Sequence, residues 1–258
     1  MSGVAPDAMT FDLRRSWFIN GDLPLGLSVS LLAESRPPAW PDGFEMRLTV
    51  SHPLAPGPAA LTVTSAEDDS QHVAVELANT DQPGSLTAAI TPIRPASHSE
   101  ADASILIGPE DVMPFGGAKP GVAALFEIRP LPFSPCDEGS SGAWLRPLTS
   151  NQQPPSLLAL DGWLPASMLD EVRNQMYTAV NRPLPRRFVR TAEVCVRQVP
   201  WPGNGDWIHI RSWVTHRDER HVFERGEITD RHGQNMMQFR IERECVQTNP
   251  TVATVADD

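Results

Sequence analysis

The 258-residue chain holds 32 acidic against 21 basic residues, a formal net charge of −11, which argues against nucleic acid or an anionic membrane as its main partner. Hydrophobic residues make up 40% and charged residues 21%, ordinary values for a globular protein of one large or two small domains. No apolar run approaches the roughly 20 residues that span a bilayer. Residues 1–12 lack the basic start of a signal peptide, so a cytoplasmic protein is expected.

In chain order, residues 1–12 read as a loose arm and Ser16-Trp17-Phe18 opens the ordered part. Leu25 to Ala33 is apolar enough for a helix of two or three turns. Phe44–Val50 alternates as a strand, and His52-Pro53 and Pro56-Gly57-Pro58 interrupt it. Ala60–Thr64, His72–Leu77 and Ser85–Thr91 follow as strands, with Gln82-Pro83-Gly84 turning the last hairpin. Arg94 to Val122 is rich in Pro, Ala, Ser and Gly and reads as a linker. Within it, Phe115-Gly116-Gly117 is a weak match to a glycine-rich phosphate cradle, since no basic P-loop pattern accompanies it. Leu125–Arg129 is a predicted strand, Pro130–Gly142 a loop, and Ala143-Trp144-Leu145-Arg146-Pro147 opens the second half.

That half carries the longer helix. Leu157, Leu158, Leu160, Leu164, Met168, Leu169, Val172 and Met176 recur at three- and four-residue steps, behind Pro154-Pro155. Asp161 lies among them, where a carboxylate must find partners, shift its pKa or act chemically. After it the period changes to that of strands, over Arg187–Pro200, Asp206–His216, His221–Asp230 and His232–Glu244. Gly203-Asn204-Gly205 and Arg231-His232-Gly233 stand at hairpin turns. The tail beyond Val246 reads as frayed.

Set side by side, the halves look like two copies of one unit, the first degraded. Trp17 is matched with Trp144, each ahead of a helix. Leu48-Thr49-Val50-Ser51-His52-Pro53 is matched with Cys195-Val196-Arg197-Gln198-Val199-Pro200. A boundary between 1–122 and 123–258 follows.

The order of Ala143–Pro147, Leu160-Asp161-Gly162, the strand ending at Pro200, Asp206-Trp207-Ile208, Glu224–Ile228 and Asp230–Gly233 resembles the double hot-dog acyl-CoA thioesterases, over about Trp17 to Arg243. The resemblance implies an α+β fold, a double hot-dog in which two antiparallel sheets, joined edge to edge, each wrap a helix. It further implies that an acid on the second helix, a Thr or Ser on the next strand and a Gln on the last strand orient water against a thioester carbonyl. Such chemistry needs no metal or cofactor, only a carboxylate and donors aimed at the developing oxyanion.

Asp161 matches the acid. Counting back from Pro200 puts Arg190 at the hydroxyl position, and a one-residue slip puts Thr191 there. The position expected for Gln holds Ile241. Gln238, three residues earlier, faces the other way along a regular strand unless a bulge intervenes. Trp163 and Trp144 are candidates to line an apolar substrate channel, and Arg190 and Arg240 to bind a carboxylate or phosphate. His209, His216 and His221 invite a metal reading, but no carboxylate or cysteine stands at ligand spacing and no metal is assigned. Cys136, Cys195 and Cys245 have no metal-ligand spacing.

The expected partner is an acyl thioester of CoA or acyl carrier protein, or another apolar small molecule. Open sheet edges are a reason to expect pairing of chains. Hydrolysis is the first reading. A cyclase, dehydratase or isomerase of a polyketide-like or polycyclic substrate is the second, and a silent acyl-binding protein the third.

Overall fold

Phe44, Met46 and Leu48 are buried on one face of β2 (Gly43–His52), while Glu45, Arg47 and Thr49 are exposed on the other. This is the two-residue period of a strand with one dry face, and it recurs across the molecule. The computed structural model describes residues 8–18, 22–36, 43–66, 72–93, 107–117, 121–131, 140–148, 186–197 and 206–246. Besides three short 3₁₀ turns, the other elements of these residues are β1 (Met9–Leu13), α1 (Leu25–Ala33), β3 (Gly57–Ala66), β4 (Val73–Asn79), β5 (Ser85–Pro92), β6 (Phe126–Pro130), β7 (Ser140–Pro147), β8 (Arg186–Arg197), β9 (Ile208–Arg217), β10 (His221–Asp230) and β11 (Asn235–Val246).

Among the described residues, eleven strands form one sheet, in the order β1-β3-β4-β5-β2-β8-β11-β10-β9-β7-β6, with every pairing antiparallel. The order reads outward from a seam between β2 and β8. On one side lie β5, β4, β3 and β1, and on the other β11, β10, β9 and β7, with β6 added at the end. The seam runs from Gly43↔Arg197 to Thr49↔Thr191. Each half would otherwise leave an open edge there, and pairing satisfies both rows of backbone groups. The sheets expected to meet edge to edge are therefore hydrogen-bonded into one.

The helix expected at Leu25–Ala33 forms as α1, and all of its residues but Ala33 are buried. A helix apolar on every side belongs inside a fold. Pro24 precedes it without needing a donor, and the Ser28 hydroxyl is satisfied by donating to the Pro24 carbonyl at 3.0 Å. Leu25, Leu27, Val29 and Leu32 share one core with Met46, Leu48, Leu61, Val75, Ile90, Val194, Ile210, Met237 and Ile241, which come from both sides of the seam. The long helix expected after Pro154 lies outside the described residues, and so do Asp161 and Trp163.

Three sequence expectations change. Part of the arm expected over residues 1–12 is β1, which pairs with β3 from Met9↔Leu61 to Leu13↔Gly57. Ser140–Gly142, expected as loop, begin β7 against Trp213–Arg211 of β9. The halves also align differently. Trp17 ends a 3₁₀ turn after β1, whereas Trp144 lies within β7. Leu48 is a core residue and Cys195 is half-buried on the other face. An odd offset between strands inverts their faces, so the matched residues Leu48 and Cys195 lie on opposite faces of the sheet.

Part of the expected linker, residues 107–112, covers the second face of the sheet near β6 and β7. Val112, Trp144 and Trp207 form a small separate core there, and the Trp144 indole donates to the Ile107 carbonyl at 3.1 Å. Arg129 and Arg146 lie over the Trp207 ring, at 4.9 and 4.7 Å, and both pair with Glu127. Phe115 N–H donates to the Ile128 carbonyl at 2.8 Å, and the next described element after Phe115-Gly116-Gly117 is a five-residue 3₁₀ turn, Gly121–Leu125, that leads into β6, so the phosphate-cradle reading lacks its strand-to-α-helix context.

Candidate functional site

The ladder between β11 and β8 is regular from Met237↔Val196 to Glu242↔Thr191 and then shifts, leaving Arg190 as a bulge before Arg243↔Val189. This bulge turns Val189, not Arg190, toward the core, while the residues from Thr191 to Val196 alternate regularly. Ile241 is buried on the core face, and Gln238 is exposed on the opposite one. A second bulge, at Met236 between Ile228↔Met237 and Thr229↔Asn235, precedes Gln238 and does not separate it from Ile241. The structure therefore does not bring Gln238 to the core face. Thr191 shares the outer face with it, and its hydroxyl donates to Glu242 at 2.9 Å.

Thr191 and Arg240 are nonetheless brought together, in a groove of about 580 Å³ that straddles the seam on the outer face. Arg47, Glu193, Phe223, Arg225 and Glu242 also line it. Arg47 and Arg240 reach Glu193 at 3.4 and 3.9 Å from well-exposed positions, pairs that water screens heavily. Arg190 stands beside the groove, 3.9 Å from Glu244 and donating to the Val50 carbonyl at 3.5 Å. Trp144 is fully buried against His209 and belongs to the small core on the second face, so it lines no channel there.

The core face carries a polar feature that the sequence reading left unassigned. Glu224 is completely buried, and its carboxylate accepts a 2.6 Å hydrogen bond from Arg243 Nε. Glu224 lies across from Ile241 on one side and Val214 on the other. Arg243 lies between Val222 and Val189. Both flanking strands bulge at this level, β9 at Thr215 and β8 at Arg190. The signal available in sequence was an acid and an arginine at apolar-phase positions of adjacent strands, two residues past Val222 and Ile241 respectively. A small cavity of about 40 Å³ lies near by on the core side, walled by Leu23, Leu25 and Ser28 at the start of α1 and by Leu48, Val50 and Val189.

Other groups away from this pair have shifted chemistry. Burial, with the nearby Arg211 charge, holds His209 down at about 4, so the imidazole is neutral near pH 7. Its Nε2 has no hydrogen-bond partner among the described residues. His216 and His221 instead flank the Phe223 ring, at 5.7 and 6.4 Å, and no group of metal-ligating side chains occurs among the described residues. Burial and Glu45 push the Cys195 thiol up despite Arg197, which disfavours a thiolate. Burial also pushes Glu127 up, but hydrogen bonds and charge from Arg146 and Arg129 outweigh it and leave the carboxyl below its ordinary value.

No protein-family model matches the chain, and no curated protein matches its sequence. Solved structures do match. A conserved protein of unknown function with a hot-dog fold from Alicyclobacillus acidocaldarius superposes with a TM-score of 0.70 at 13% identity, over 93% of each chain. This chain has a hot-dog fold. The acyl-CoA thioesterase II TesB2 of Mycobacterium marinum is similar with a TM-score of 0.58 at 16% identity, over 86% of each chain. The dehydratase domain of PpsC from Mycobacterium tuberculosis, solved with C12:1-CoA, is similar at 0.56 and 14% identity, over 95% of this chain and 97% of that one. The hot-dog fold is thus shared with hydrolytic and with dehydrating neighbours.

Proposed function

We propose that this hot-dog protein acts on acyl thioesters of CoA or acyl carrier protein, as a hydrolase in which Asp161 activates water. The observation that carries the proposal is the match of nearly the whole chain to hot-dog neighbours that include an acyl-CoA thioesterase and a dehydratase domain solved with C12:1-CoA. The strand order mirrored about the β2–β8 seam supports reading the chain as a double hot-dog, with units 1–122 and 123–258. In the proposed step, water attacks the carbonyl carbon, Asp161 takes its proton, the C–S bond breaks and the thiolate leaves to be protonated. A positioned carboxylate suffices for this, without metal or cofactor.

A specific observation favours a second reading. Ile241 occupies the core face and Gln238 the outer face, so the glutamine that would orient water in the hydrolytic reading is not on the core face. A dehydratase or other lyase would use the Asp161 carboxylate as acid and base without water attack, and needs no such residue. Thiol release from short-, medium- and long-chain acyl-CoAs tests the choice. Hydrolysis predicts turnover that falls at least about a hundredfold in Asp161→Asn, the usual weight of a general base. The second reading predicts no thiol release, with water lost from 3-hydroxyacyl thioesters and that loss abolished in the same variant. Neither activity in any member of the panel would reject both.

A further inference from the structure

Glu224 and Arg243 are arranged one behind the other. Glu224 is fully enclosed, whereas the Arg243 side chain keeps 14% of its surface accessible. Their bond uses Nε, and the terminal amino groups of the guanidinium donate to no described residue. Charges this deep among Val189, Val214, Val222 and Ile241 are costly, and an apolar pair of similar volume usually serves a core as well or better. Bulges on both flanking strands, at Arg190 and Thr215, re-aim side chains and are enriched beside functional sites. The cross-strand neighbour of Arg243, Val189, is also a wall of the cavity at the start of α1.

Building on the acyl-thioester reading, we infer that Arg243, braced by Glu224, holds a carbonyl oxygen of the acyl ligand. Charge decides the class of ligand. Glu224 already sets one carboxylate against the guanidinium, so a second would place two anions on one cation in an apolar setting. A neutral acceptor meets the free N–H groups without that cost. The oxygen is that of the thioester carbonyl or of a keto group further along the chain.

Calorimetric titration with uncleavable ligands tests this apart from turnover. S-decyl-CoA lacks a carbonyl, while S-(2-oxodecyl)-CoA and S-(4-oxodecyl)-CoA carry one near the sulfur or further along. The wild-type protein is expected to bind one oxo ligand at least about tenfold more tightly than S-decyl-CoA, the weight of a charge-assisted hydrogen bond, and the preferred ligand reports the oxygen's position. The double variant Glu224→Gln/Arg243→Met removes both charges of the pair. It should bind S-decyl-CoA as before and lose the preference, and its circular dichroism spectrum checks that it folds. A preference that survives in this variant, or none in the wild type, overturns the inference. So does decanoate binding more tightly than 2-undecanone through Arg243. If no CoA ligand binds the wild type, the thioester reading fails and 2-undecanone decides alone: binding lost in the double variant sustains the role of Arg243, and no binding rejects it.

Discussion

At the residue scale, His209 offers the sharpest test of the burial pattern. Its neutral imidazole packs at 4.9 Å from Trp144, and burial lowers its pKa from 6.5 to about 4. Between those values the unfolded chain binds more protons than the folded one, so stability is fully present above pH 6.5 and is lost as pH falls toward 4. The amount at stake is on the order of 3 kcal/mol. Urea unfolding from pH 7 to 4.5 should show that decline, and His209→Leu should flatten it over this window. A decline of equal size in the variant would place the cause elsewhere. Glu127 and Asp218 do not confound the window. Their pKa values are lowered, so their contributions are present above the ordinary carboxylate range and fade only below it.

At the scale of elements, Asn79 ties the end of β4 to the segment joining β2 and β3. Its amide accepts from Ala55 N–H and donates to the Ala55 carbonyl, both at 2.9 Å. Gly84 lies so close that a Cβ there would collide with the Asn79 side chain. Asn79→Ala would strand both Ala55 groups and is expected to cost about 1–3 kcal/mol, measured as a shift in the urea midpoint. A change below about 0.5 kcal/mol would mean that water replaces the amide, as at an ordinary surface site.

The sequence makes elements such as these legible where one face is dry. The alternation of Phe44, Met46 and Leu48, and the run from Leu25 to Ala33, could be read because burial imposes a period. β1 was missed because its outer residues are mostly exposed, so Met9–Leu13 carry little pattern of their own and take their order from β3. The site was less legible than the fold. Which of Val189 and Arg190 faces the core depends on the bulge at Arg190, and a bulge is set by backbone pairing with β11, which no local pattern of β8 announces. The Glu224–Arg243 pair was hidden differently, since an acid and an arginine on separate strands give no sign of each other until the strands are paired.

At the scale of the molecule, the seam joins two runs of strands that share one core. The core residues on either side, such as Met46 and Val194, are cross-strand neighbours, so neither half can lose its packing without exposing the other. Calorimetry should therefore record a single unfolding transition, with van't Hoff and calorimetric enthalpies equal. Two resolved transitions would mean that 1–122 and 123–258 hold their folds independently.

The seam also has a consequence for synthesis. Thr49 finds its partner in Thr191, about 140 residues later, an interval of roughly ten seconds at ordinary translation rates. Throughout it, β2 is without its β8 partner, and Glu45 and Arg47 lie along it on the outer face. Charged residues are the usual guard against wrong partners at an unpaired edge.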